Sequence, residues 1–215
     1  MRKGWIAAFL AAQAVLYALI LTAGGDLLVC SSFGAIVLCL VYVLCGLRQG
    51  DGFSVCALAL TVAADFCLVI CSPQQRLWGM VFFLAVQLCY AASLGRTLLW
   101  MRAALSVAAL ILTVSVLGDK TDALALISVC YYAQLVCNLA CALLRKRWLM
   151  AAGFVLFLLC DTVVGLQVAA SGYLSLSTDG WLHRLLFCGF NLPWFFYLPS
   201  QVCLALQSNK IKEGS

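Results

Sequence analysis

Two carboxylates stand where a carboxylate is costly. Asp65 lies in Thr61-Val-Ala-Ala-Asp65-Phe-Cys-Leu and Asp161 in Leu158-Leu-Cys-Asp161-Thr-Val-Val, each deep inside an apolar run. The other six acids, Asp26, Asp51, Asp119, Asp122, Asp179 and Glu213, fall between such runs or at an end. An acid near the middle of a bilayer costs about 2.5 to 3.5 kcal/mol by insertion scales, so the two buried ones must be compensated by neighbours or by function. Neither has a Lys or Arg within its own run. Apolar surroundings disfavour two adjacent charges, so one proton shared between two carboxyls is the expected resting state. Such a pair suits general acid and base catalysis. The alternative is structural: each aspartate binds a neighbouring hydroxyl or amide and ties the helices together.

Other polar side chains interrupt the apolar runs and are candidates to line the same pocket: Gln87 and Tyr90, then Tyr131, Tyr132, Gln134 and Asn138, then Tyr197 and Gln201. Gln87 and Tyr90 are three residues apart and so share a helix face. For each, a substrate contact and an interhelical hydrogen bond stand open.

The elements that carry these residues follow from composition. Hydrophobic residues make up 66% of the 215 and charged ones 10%, with a mean hydropathy of +1.09. A soluble domain has about 45 to 50% apolar and about 25% charged residues, so the main solvent of this chain is lipid. A membrane-crossing helix needs about 20 apolar residues. Breaks of charge, Gly or Pro mark eight runs: Gly4 to Thr22, Leu27 to Leu47, Phe53 to Cys71, Leu77 to Leu94, Leu98 to Leu117, Ala123 to Leu144, Trp148 to Val168, and a last one between Leu185 and Leu206. The expected fold is an all-α integral membrane protein, a single bundle of about eight transmembrane helices over residues 1–215 with no second domain. Pro193 and Pro199 must start, kink or break the last helix, and Trp181 to Phe190 is a candidate interfacial segment.

Positive charge sets the expected orientation. Arg2, Lys3, Arg48, Arg96, Arg102, Arg145, Lys146, Arg147, Lys210 and Lys212 fall on one side, and only Arg76, Lys120 and Arg184 on the other. Both termini are therefore expected in the cytoplasm. The two aspartate helices then run in the same direction, with each acid about 12 to 14 residues in, roughly 18 to 21 Å at 1.5 Å per residue. The N-terminal run resembles a signal peptide with small residues at Thr22-Ala23-Gly24, but its length and its polar Gln13 and Tyr17 favour a retained helix.

Several function classes drop out. The thirteen cysteines are scattered through apolar runs; Cys67 and Cys71, like Cys137 and Cys141, stand four apart with no spacing suited to zinc. They read as small packing residues and free thiols. The single histidine, His183, lies beside Arg184 near a loop end, which suits interfacial anchoring and leaves no His-based triad at membrane depth. No cofactor or metal is called for. The net charge of +5 needs no nucleic acid, since anionic headgroups can meet the basic ends. A weak internal echo sets Phe82-Phe83 and Gln87-Leu-Cys-Tyr-Ala against Phe195-Phe196 and Gln201-Val-Cys-Leu-Ala, in the sense of a parallel repeat.

These residues resemble the signatures of the YhhN-like membrane family, the lysoplasmalogenases, along the whole chain. The first signature reads here Ala64-Asp65-Phe-Cys-Leu, then Gly79, Phe82-Phe83 and Gln87-Leu-Cys-Tyr90; the second reads Cys160-Asp161, then Tyr197 and Gln201. The chain departs from the pattern in Ala64 for a common glycine, Cys160 for serine, Gln87 for histidine, and in lacking a clear basic residue in the second helix. The resemblance implies an eight-helix fold and hydrolysis of the vinyl ether bond of a lysoplasmalogen to a fatty aldehyde and a glycerophospho-alcohol. It makes Asp65 and Asp161 the acid and base, Gln87, Tyr90, Tyr197 and Gln201 substrate contacts, a lysophospholipid the partner, and a bacterial plasma membrane the expected location; Tyr131 and Asn138, polar within the sixth run, are added as substrate contacts from their position alone. Read without the resemblance, the same residues also suit a small proton-coupled transporter with an aspartate relay, or a non-catalytic scaffold.

Overall fold

The computed structural model describes residues 2–46, 52–71, 75–95, 98–172, 180–187 and 189–208. Among these residues there is no strand. The helices are α1 (Arg2–Thr22), α2 (Gly25–Cys45), α3 (Gly52–Asp65), α4 (Arg76–Ser93), α5 (Leu99–Leu117), α6 (Ala123–Leu144), α7 (Trp148–Gly172), α8 (Trp181–Leu186) and α9 (Leu192–Ser208). Seven of them are long and apolar enough to cross a membrane, counting α3 together with the turn that extends it to Ile70. The fold is a helical membrane bundle. Arg48, Arg96, Lys210 and Lys212, which enter the charge asymmetry, lie outside the described residues, as does Cys188.

The last expected run divides in two. The short α8 occupies the candidate interfacial stretch, with the His183 ring 4.7 Å from that of Phe187. The 17-residue α9 begins at Leu192, so Pro193 sits in its first turn, where a missing N–H does no harm. Pro199 falls in its interior and leaves the carbonyl four residues back, that of Phe195, without its helical donor. Tyr17 of α1 supplies the replacement: its hydroxyl donates to Phe195 O at 3.0 Å. On the same helix Gln13 also faces inward, donating to Ala35 O at 2.9 Å and Cys39 Sγ at 3.2 Å.

Small residues permit the closest approaches, as expected where lipid gives helices no hydrophobic reason to associate. A Cβ on Gly153 of α7 would stand 3.0 Å from Leu204 Cγ and 3.2 Å from Ser200 O, so α9 lies directly on α7 there. Gly79 of α4 is tighter, since a Cβ would come within 2.5 Å of Leu68 Cγ. Helix α5 lies at the edge of the bundle, with Trp100, Val107, Ile111, Leu112 and Val116 exposed. No disulfide links the described cysteines.

Candidate active site

Asp65 and Asp161 occupy equivalent positions. Each stands 13 residues beyond the first residue of its helix, Gly52 or Trp148, or about 20 Å along the axis. Asp65 ends the α-helical part of α3. The chain then widens into a π-turn over Phe66–Ile70, closed by Cys71 N–H donating to Phe66 O at 3.0 Å. Such turns are rare and occur often at functional sites. It is this turn that Leu68 carries against Gly79.

Each carboxylate accepts a hydrogen bond from a tyrosine. Tyr197 of α9 donates to Asp65 Oδ2 at 2.7 Å, and Tyr131 of α6 donates to Asp161 Oδ2. Phe83 of α4 and Phe157 of α7 lie between the two tyrosines. The Phe83 ring is 5.8 Å from Tyr131 and 6.3 Å from Tyr197, and Phe157 is 6.2 Å from Tyr131 and 5.5 Å from Tyr197. Two acid–tyrosine pairs thus share one aromatic wall. Asp65 is buried, at 3% exposure, whereas Asp161 is only half-buried. Among the described residues no cation is bonded to either. A phenol thus occupies one oxygen of each carboxyl, and among the described residues no donor is bonded to the other.

The other expected site residues separate into groups. Gln87 and Asn138 meet: Asn138 Nδ2 donates to Gln87 O and Oε1, both at 2.9 Å. Tyr90 is on the same face of α4 as Gln87, with its ring 5.3 Å from Phe154 and no partner for its buried hydroxyl among the described residues. Gln201 is fully buried, and neither atom of its amide has a partner among the described residues. Tyr132 faces outward and pairs its hydroxyl with Thr162 Oγ1 at 2.9 Å.

One charged residue departs from expectation. Arg102, counted in sequence with the basic rim, is the buried residue of α5, at 5% exposure. Its guanidinium donates to Gln134 Oε1 at 3.0 Å, Asn138 Oδ1 at 2.7 Å and Cys141 Sγ at 3.5 Å. Gln134 passes the network on to Ser106 Oγ at 3.0 Å. The available signal was on α6, where Gln134, Asn138 and Cys141 fall at i, i+4 and i+7 on one face and call for a donor.

Among the described residues no three His, Cys, Asp or Glu side chains form a metal-holding group. No curated protein and no solved structure matches the chain. Residues 31–207, however, fit the model of the YhhN family, and the chain belongs to that family.

Proposed function

We propose that this protein is a membrane-embedded hydrolase of the lysoplasmalogenase type, acting on a single-chain phospholipid with a vinyl ether link. The observation that carries this reading is the pair of tyrosine-bound carboxyls on one aromatic wall. A vinyl ether is cleaved by protonating its outer alkene carbon, which leaves an oxocarbenium ion at the carbon bonded to oxygen. Water adds to that carbon and loses a proton, and the hemiacetal collapses to an aldehyde and an alcohol. One aspartic acid gives the first proton from its free oxygen. The ionised partner stabilises the cation and takes the proton from water, a division of labour like that of glycosidase carboxyl pairs. The aromatic faces of Phe83 and Phe157 add a further surface suited to a transient cation. The unpartnered Tyr90 hydroxyl and Gln201 amide are the groups we assign to orienting glycerol and water. The location we propose is a bacterial plasma membrane, with both termini cytoplasmic.

A second reading, a proton-coupled transporter, draws on the chain of buried polar groups from Gln87 through Asn138 and Arg102 to Gln134 and Ser106. Purified protein incubated in detergent micelles with lysophospholipids, followed by mass spectrometry, separates the two. The hydrolase yields a fatty aldehyde and a glycerophospho-alcohol. A transporter leaves every lipid intact.

A further inference from the structure

Among the described residues, Arg102 is a buried cation bonded only to neutral groups. Burying a charge without a counter-charge is among the costlier arrangements a protein can hold, and the described acids leave this one uncompensated. Three of its five N–H donors reach Gln134, Asn138 and Cys141, which leaves two for a ligand. Arg102 also lines a cleft of about 400 Å³, whose remaining walls are apolar: Phe53 of α3, Leu88 and Ala91 of α4, and Leu99 of α5. Gly95 completes it, and the Arg145 guanidinium lies over that glycine, with Nη2 2.9 Å from where a Cβ would stand. Neither aspartate lines the cleft. An apolar groove with a fixed cation in its lining complements an amphiphile with an anionic head.

We infer that the cleft between α3, α4 and α5 is the phosphate subsite for the single-chain phospholipid, with Arg102 as the group that binds its headgroup phosphate. This rests on the lysophospholipid reading above and adds to it the residue that selects the phosphate.

Register along α6 supports the assignment. Asn138, which holds Arg102, stands seven residues from Tyr131, which holds Asp161, and seven residues of helix span about 10.5 Å. In the proposed substrate, seven bonds separate phosphorus from the outer alkene carbon, roughly 8 Å when extended at about 1.2 Å per bond. The two lengths are close enough for one molecule to place its phosphate at Arg102 and its alkene at the carboxyls. Arg102 lies only three residues into α5.

The test is equilibrium binding of a radiolabelled 1-alkyl lysophosphatidylcholine, which has the phosphate and chain but no vinyl bond, to full-length protein in uncharged maltoside micelles. Unlabelled lipid should displace the label about tenfold or more better than a 1-alkylglycerol of the same chain, the margin expected of charge-assisted hydrogen bonds. Arg102→Gln should abolish that margin without weakening alkylglycerol binding, and Arg102→Lys should retain part of it. Asp161→Asn should leave it unchanged. Equal displacement by the two lipids in the wild-type protein would overturn the assignment even if Arg102→Gln does not fold. So would a margin that survives in Arg102→Gln, or displacement by inorganic phosphate alone as effective as by the lipid, which would mark a site for free anions. Phosphate-selective binding without vinyl ether cleavage would instead remove the proposed reaction and leave this site standing.

Discussion

Tyr197 and Asp65 are 132 positions apart in sequence, yet the phenol of one donates to the carboxyl of the other at 2.7 Å. Tyr131 and Asp161 repeat the arrangement over 30 positions. The two differ in shelter, because Asp65 is buried and Asp161 half-buried. Removing a donor from a buried acceptor costs about 1 to 3 kcal/mol, while water can replace a donor at an accessible one. Tyr197→Phe should therefore lower thermal stability by that amount in detergent micelles, and Tyr131→Phe by clearly less. Equal losses would mean that water does not reach Asp161.

Asp65→Asn and Asp161→Asn should each reduce vinyl ether cleavage by about 10² or more, the usual contribution of a general acid or base. Insertion and melting temperature should stay close to wild type, since the amide keeps the size and still accepts from tyrosine. Either variant retaining more than roughly a tenth of wild-type turnover, against that expected loss, would end the paired-carboxyl mechanism. Loss of stability in both without a specific catalytic loss would instead make the aspartates interhelical ties.

Asp122 provides the control, and its position sharpens it. It caps α6, accepting from Ala125 N–H at 2.7 Å. Asparagine caps about as well as aspartate, so Asp122→Asn should be silent in both assays, whereas Asp122→Ala should cost about 0.5 to 2 kcal/mol of stability and no specific activity. Thermal unfolding beside a cleavage assay reads both.

Gln201 is buried with both amide atoms unpartnered among the described residues. Replacing an unsatisfied polar group by an apolar one of similar shape is neutral or stabilising. Gln201→Met is expected to melt no lower than wild type and to cleave substrate more slowly. A drop in melting temperature would show that the amide has a structural partner, such as water, in the folded protein.

Gly79→Ala tests the approach of α4 to the turn beyond Asp65. Its new methyl would meet the branch carbon of Leu68 at 2.5 Å, and overpacking of this kind costs about 1 to 3 kcal/mol. The predicted result is a lower melting temperature that Leu68→Ala in the same chain partly restores. Two independent losses that simply add would place the strain elsewhere.

Much of this was legible in the linear chain. Apolar runs broken by charge give helix ends such as Ala123 and Leu144 directly, because membrane helices must satisfy every backbone group within themselves. Asp65 and Asp161 stood out because few other charges occur at that depth. Their partners did not: Tyr131 and Tyr197 were marked as pocket residues, but hydropathy says nothing of which hydroxyl reaches which carboxyl. The π-turn after Asp65 has no compositional signature, since it differs from α-helix only in which carbonyl each N–H finds. Arg102 was read as a rim charge because a cation near a helix end looks the same whether it points to water or inward.

Helix α9 carries Tyr197, and its interior Pro199 leaves Phe195 O to be met by Tyr17 of α1, across 178 positions. During synthesis at about 5 to 20 residues per second, the aspartate of α3 emerges roughly 7 to 26 s before its tyrosine. Until then Asp65 lacks the donor that holds it. The first helix likewise waits for a carbonyl made 178 positions later. Assembly therefore closes like a clasp, α1 onto α9, and until α9 is in place Asp65 has no phenol bonded to it.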